Sequence, residues 1–373
     1  MKTTFLSFLL LLAFSNVRAD DYLLKGNIGK YPVVFDLFMS GNQIEGTYFY
    51  TSSCIDIVLK GERTDNGVVL YASHYNGNTE DTTETWRVTE NANKSWTGKW
   101  IGKKGKVYDV VLAPLDIKTI ITPYDRLPVA RELKTSSEYN YIRLAHLPVV
   151  KDTATVKNGK YILRYYHLKN AAIDMFEVVG GLDKQIATKV NDLLLNKFLE
   201  NAWNYCGCTG SDTPDYQYTI DNVFLSDNVL SVNIAVEFYC NQAAHPEGGN
   251  DPVTIDLKTG RQLVLEDILS LATGPVPSEQ SENWGSYREG VYGPKLLALM
   301  KKLYPKQLAT SNECDYSVVE PWEVAQFYVT ENGLYLSPSF PHAAVSCRNP
   351  DWSYISFEEL KKHKNPKKPI TLP

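Results

Sequence analysis

The chain has 373 residues, 43% of them hydrophobic and 22% charged, which is enough apolar material for packed cores and excludes a disordered, charge-dominated polymer. A net charge of -5 argues against nucleic-acid binding, which calls for a basic face. The one basic cluster, Lys361-Lys362-His363-Lys364 with Lys367 and Lys368, is interrupted by proline and reads as a solvated end.

The chain opens MKTTFLSFLLLLAFSNVRA, with one lysine, an apolar run from Phe5 to Phe14 and the small-residue signature Val17-Arg18-Ala19. This predicts a signal peptide over residues 1–19 and a secreted or periplasmic protein. No later stretch reaches the roughly 18 apolar residues of a transmembrane helix, so no membrane span is expected.

Residues 20–114 read as an all-β meander. Short alternating runs such as YPVVFDLFM, QIEGTYFYT, VVLYASH and SWTGKWIG are separated by Ser40-Gly41-Asn42 and Asp65-Asn66-Gly67, at the spacing of an antiparallel β-barrel or sandwich. Val34, Leu37, Ile55, Ile57, Leu59 and Val111 are its candidate core. Trp86, Trp96 and Trp100 fill that core in the simplest reading and form a sugar-stacking platform in the other. Residues 115–134, with several prolines and no sustained period, read as a linker or bridging strand.

From 135 to 373 the texture is α+β, with helices packed on a mostly antiparallel sheet. YNYIRLA, KYILRYYHL and AIDMFEVV are strand candidates. Ile186, Val190, Leu193, Leu194, Phe198 and Ala202 then recur at three- and four-residue steps, predicting a helix with Asp183 near its start. YQYTIDNVFL, VLSVNIAVEFY, PVTIDL and QLVLEDILSL continue the sheet, Pro294 opens a helix KLLALMKKLYP, and AQFYVTENGLYLSP supplies the last strands. Glu358-Glu359 reads as a solvated helix start.

Six cysteines in an exported chain are disulfide candidates. Either Cys206 or Cys208, at the end of the long helix, can staple to Cys240 at the end of a strand. Cys314 and Cys347 flank the last strands and form a second candidate pair. Cys54 and the remaining member of Cys206-Gly-Cys208 are left joined to each other or unpaired.

Signatures of known chemistry are missing: no Gly-x-Ser-x-Gly, no His-Glu-x-x-His, no phosphate-cradling glycine loop and no Gly-x-Gly-x-x-Gly occurs. No two histidines stand at metal-ligand spacing, so neither metal nor cofactor is expected. The best candidate site is the long loop CNQAAHPEGGN, residues 240–250. His245, Glu247 and Asp251 there, with His342 from SPSFPHAAVSC, supply an imidazole pair and carboxylates for ligand contact or acid/base work. Phe340 and Pro341 complete that candidate binding surface. The structural alternative is that Pro246 and Gly248-Gly249 shape a turn in which His245 bonds loop carbonyls.

TIDLKTGRQLVLEDIL (254–269), the preceding Ala-His of AAHPEGG, FYVTENGLYLSPSFP (327–341) and the helix bearing Ile186, Val190 and Asn191 share an order and spacing with a known module. This part of the chain resembles the extracellular domain shared by lysozyme-sensing anti-sigma factors and accessory regions of bacterial peptidoglycan deacetylases. It departs at Ala243, where the family has glycine, and in the chemistry of the late loop. The resemblance implies a cell-envelope protein whose second domain binds a cell-wall glycan or a secreted protein such as lysozyme without catalysis. The competing expectation is an envelope hydrolase with a composite His/carboxylate site.

Overall fold

A computed structural model describes residues 19–75, 80–208, 215–240, 245–309, 314–365 and 370–373. The expected signal peptide, apart from Ala19, lies outside the described residues, as do loop residues 241–244 and the lysines at 367 and 368. The chain divides into two compact units: one holds the residues up to Thr51 with Asp56–Thr119, the other Ser52–Ile55 with Ile120–Pro373.

The first unit is a closed eight-stranded antiparallel barrel in sequence order. Its strands are β1 (Ala19–Ile28), β2 (Tyr31–Ser40), β3 (Gln43–Tyr50), β4 (Ile57–Thr64), β5 (Gly67–Tyr75), β6 (Glu80–Glu90), β7 (Trp96–Gly102) and β8 (Val107–Pro114). Pairing of β1 with β8 closes it, Gly26 lying opposite Leu112. A Cβ at Gly26 would come within 1.8 Å of the Val111 carbonyl oxygen, so this seam needs glycine. Trp86 and Trp96 are fully buried inside, with Phe35 and Tyr48 packed on Trp86, so both belong to the core and offer no platform. Trp100 is partly buried and donates to Glu84 at 2.9 Å.

In the second unit, α1 (Pro128–Ser136) lies where a linker was expected. The run YNYIRLA is the helix α2 (Glu138–Ala145) and not a strand. Ser137 caps it by accepting from the Asn140 N–H, and Tyr141 and Leu144 share one buried side, a three-residue step concealed by apparent alternation.

A nine-stranded sheet forms the body. It comprises β9 (Val149–Lys151), β10 (Val156–Asn158), β11 (Tyr161–Leu168), β12 (Ala172–Gly180), β13 (Asp215–Leu225), β14 (Val229–Tyr239), β15 (Glu247–Asn250), β16 (Val253–Asp256) and β17 (Arg261–Gln262). All pairs are antiparallel except a short β12–β13 contact. Between β12 and β13 runs α3 (Lys184–Gly207), capped by Asp183, whose carboxylate accepts from the Gln185 and Ile186 N–H groups. Val190, Leu194, Phe198 and Ala202 form its buried stripe, and Asn191 brackets the backbone of Val178 on β12.

β14 is buried continuously from Val229 to Ile234, which requires cover on both faces. One cover is a three-stranded sheet of β18 (Gln326–Thr330), β19 (Gly333–Ser337) and β20 (Tyr354–Ile355), anchored where Ser231 accepts from the Val329 N–H. The expected strand QLVLEDILSL is instead the short β17 followed by α4 (Leu265–Ile268). Beyond it come α5 (Asn283–Tyr287), a π-helical turn over Arg288–Tyr292, α6 (Gly293–Leu303), α7 (Glu320–Glu323) and α8 (Phe357–Lys362). Glu359 of α8 is buried and bonded to Lys362 and His363, so it is not a solvated start.

Among the described residues no helix is long and apolar enough to cross a membrane. All six cysteines are bridged, as Cys54–Cys206, Cys208–Cys240 and Cys314–Cys347, a pattern of oxidising compartments.

Candidate functional site

β15 pairs with the outer half of β14, Glu247 opposite Phe238 and Asn250 opposite Ala235, and this places Glu247 at the mouth of a cleft. The Glu247 carboxylate is held on both oxygens. Oε2 meets His342 Nδ1 at 2.9 Å, and Oε1 accepts from Arg348 Nη1 at 2.8 Å. Burial pushes the Glu247 carboxyl upward, but hydrogen bonds from Arg348 and His342 outweigh it and leave the group below the usual carboxylate range. It is therefore ionised at neutral pH and serves as an acceptor.

Arg348 does more than neutralise Glu247. Its Nη1 also donates to the Gly248 carbonyl at 2.9 Å, and its Nε donates to the Phe340 carbonyl at 2.9 Å. One guanidinium thus clamps β15 to both ends of the late loop. The His245 ring lies over that of His342, with centroids 3.3 Å apart and planes at 14°. Asn250 donates to Asn349, a further link between the two segments.

Two disulfides brace the same place. Cys208–Cys240 joins the end of α3 to the end of β14, and Cys314–Cys347 holds the late loop one residue before Arg348. The cleft measures about 740 Å³, and Cys208, Cys240 and Arg348 line it together with Asn201 and Asn204 of α3, Tyr216 of β13, residues 247–251 and Gln326. Burial pushes the Tyr216 phenol up to about 12, so it stays neutral and donates to Asn201 Oδ1 at 2.9 Å.

His245, Glu247 and His342 are therefore brought together. Asp251 lines the cleft without joining them, its carboxylate bonded to Lys197 and to the Tyr218 hydroxyl at 3.0 Å. Phe340 is buried edge-on against Tyr316, so its contribution is its carbonyl and not its ring. Pro341 is exposed and precedes the short 3-10 turn that carries His342. Glu247 and Asp251 line the cleft, whereas the two histidines stand outside its wall.

Sequence reasoning missed Arg348. It lies beside Cys347 in a loop without periodicity, 101 positions from Glu247, and nothing local in the sequence joins the two. Among the described residues no group of three or more His, Cys, Asp and Glu side chains is arranged to hold a metal ion. No family model matches the chain, and no curated protein matches it.

Chemically, the site offers amides, a neutral phenol and two carboxylates, Glu247 and Asp251, each already paired with a cation. Such a surface exchanges hydrogen bonds with a neutral polar ligand at little cost in reorganisation.

Proposed function

We propose that this is an exported bacterial cell-envelope protein that binds a cell-wall glycan in the cleft between α3, β15 and the 337–348 loop, and does not transform it. The observation that carries the reading is the cleft wall. Amide side chains at Asn201, Asn204 and Gln326, with the Tyr216 phenol, offer donors and acceptors without net charge, which suits hydroxyl and acetamido groups. Its rim is held by Arg348 and two disulfides before any ligand arrives, so little ordering entropy is lost on binding. The resemblance of residues 135–365 to wall-associated sensor modules supports the compartment. The apolar run at 5–14 supports the route by which it is reached.

A second reading, an envelope hydrolase, draws on one observation. His342 is oriented by Glu247 through Nδ1, the arrangement by which a carboxylate sets an imidazole for proton transfer at Nε2. Against it, Arg348 occupies the other Glu247 oxygen, and the histidines stand outside the cleft wall.

The test incubates the purified mature protein with insoluble peptidoglycan and, separately, with lysozyme, and follows both sedimentation and release of soluble fragments. Co-sedimentation without release, weakened by Asn201→Ala with Asn204→Ala, is expected. Binding to lysozyme alone would assign the surface to a secreted protein. Fragment release lost in His342→Ala would establish the hydrolase.

A further inference from the structure

A second polar cluster lies apart from the Glu247 site, where α4 meets the π-helical turn. Glu266 and Arg288 are both almost completely buried, at 2% and 5% exposure, and approach to 3.3 Å at Oε1 and Nε. That contact lacks hydrogen-bond geometry. Both Glu266 carboxylate oxygens, Arg288 Nε and Nη1, and the neighbouring Tyr287 hydroxyl are buried without a hydrogen-bond partner. Leaving such groups unpaired costs about 1–3 kcal/mol each, and more when they are charged, so a cluster of them calls for a partner.

The surroundings indicate its kind. The Arg288 guanidinium is sandwiched between the rings of Trp284, at 4.6 Å, and Tyr292, at 4.8 Å. Arg288 and half-buried Trp284 line a cavity of about 250 Å³, several times the ~30 Å³ that one water occupies in the liquid. This cavity shares Asp251, Val324 and Gln326 with the cleft at β15. On its other side it shares Gln262 and Glu279 with a third cavity, of about 1140 Å³, whose wall includes Glu266. Three abutting cavities thus run along one unit, with the unpaired cluster beside the middle one.

An anionic ligand would meet Glu266 and Glu279, and a cation would meet Arg288. A neutral polyol meets neither objection, because each hydroxyl donates and accepts at once, donating a hydrogen bond to a carboxylate while accepting one from the guanidinium. The Trp284 ring supplies an apolar face for the C–H side of a sugar ring. We infer that Arg288 and Trp284, with Glu266 setting Arg288 from the wall of the third cavity, form a second sugar subsite, so that one glycan chain spans this cavity and the β15 cleft.

This inference rests on the glycan reading of the first cleft, and the experiment separates the two. The affinity of the full mature chain for N-acetylglucosamine oligomers, from the monomer upward, is measured by calorimetry for the wild type, Trp284→Ala, Glu266→Gln and Asn204→Ala. Melting curves verify folding, and Trp284, being half-buried, is the variant least exposed to that concern. Affinity is expected to rise about tenfold or more once the oligomer is long enough to reach both sites. Trp284→Ala and Glu266→Gln should abolish that rise while leaving short-oligomer binding intact, and Asn204→Ala should weaken all lengths. Oligomer binding whose length dependence is untouched by Trp284→Ala and Glu266→Gln would mean that the cluster holds buried water only, overturning the subsite but not the first cleft. No binding of any oligomer by the wild type would overturn both.

Discussion

Replacing Arg348 by methionine should loosen the candidate site more than any other single exposed-side change. The guanidinium makes three hydrogen bonds, to Glu247 Oε1 at 2.8 Å, the Gly248 carbonyl at 2.9 Å and the Phe340 carbonyl at 2.9 Å. Hydrogen bonds involving a charged partner contribute about 1.5–3 kcal/mol each when buried. Here the Arg348 and Glu247 side chains keep 23% and 33% of their exposure, so water and salt screen part of that gain. Counting each bond at the low end and discounting for screening gives about 3 kcal/mol for local opening. Since 1.4 kcal/mol is a factor of ten, amide exchange at Gly248, Gly249 and Asn250 should quicken by about two orders of magnitude. Native-state hydrogen exchange measures this directly, and Arg348→Lys should recover only part of it, because an ammonium cannot bridge the same three acceptors in one plane. Exchange in Arg348→Met within about threefold of the wild type would refute the clamp.

The Glu247 carboxyl should titrate below its ordinary 4.5 in the folded protein, and carbon-detected NMR on Arg348→Met should find it moved upward. With its folded value lowered, its stabilising contribution is complete above the unfolded value and is lost as pH falls through the folded one. Cys208→Ser with Cys240→Ser opens a loop of sequence separation 32 and should cost about 3.7 kcal/mol by loop-closure entropy, whereas opening Cys54–Cys206, at separation 152, should cost about 5. Denaturant titrations of the two double mutants test that order. In the barrel, Trp86→Ala should cost about 3–5 kcal/mol because the ring is fully buried, and Gly26→Ala about 1–3 kcal/mol because its Cβ collides with backbone across the β1–β8 seam. A near-neutral Gly26→Ala would show that the seam opens easily.

The antiparallel meander was legible because its turns are written in glycine and asparagine between alternating strands, but burying one side of every strand suits a sandwich as well as a barrel, so closure was not. The long helix was legible from its stripe and its Asp183 cap. YNYIRLA misled because tyrosine and isoleucine favour strands, and only its Ser137 cap marked a helix. The segment at 115–134 hid α1 because proline, read as a breaker, opens the helix at Pro128.

Of the candidate site, the meeting of His245, Glu247 and His342 was expected as a possibility, since both parent loops were singled out. The role of Asp251 was not, because it sits in the two-residue link between β15 and β16, where no alternation rule applies, and its carboxylate meets Lys197 and the Tyr218 hydroxyl. Arg348 and the Glu266–Arg288 pair left no local signature. Each depends on residues about 100 or about 20 positions away in sequence, a distance over which no spacing rule operates.

The most direct measurement is a titration of isotope-labelled protein with soluble wall-glycan chains, followed by analysis of the recovered chains. The account predicts saturable shifts concentrated at Gly248–Asp251, Asn201, Asn204 and Tyr216, with the chains recovered at their original length. Shortened chains, or shifts confined to the barrel, would contradict it.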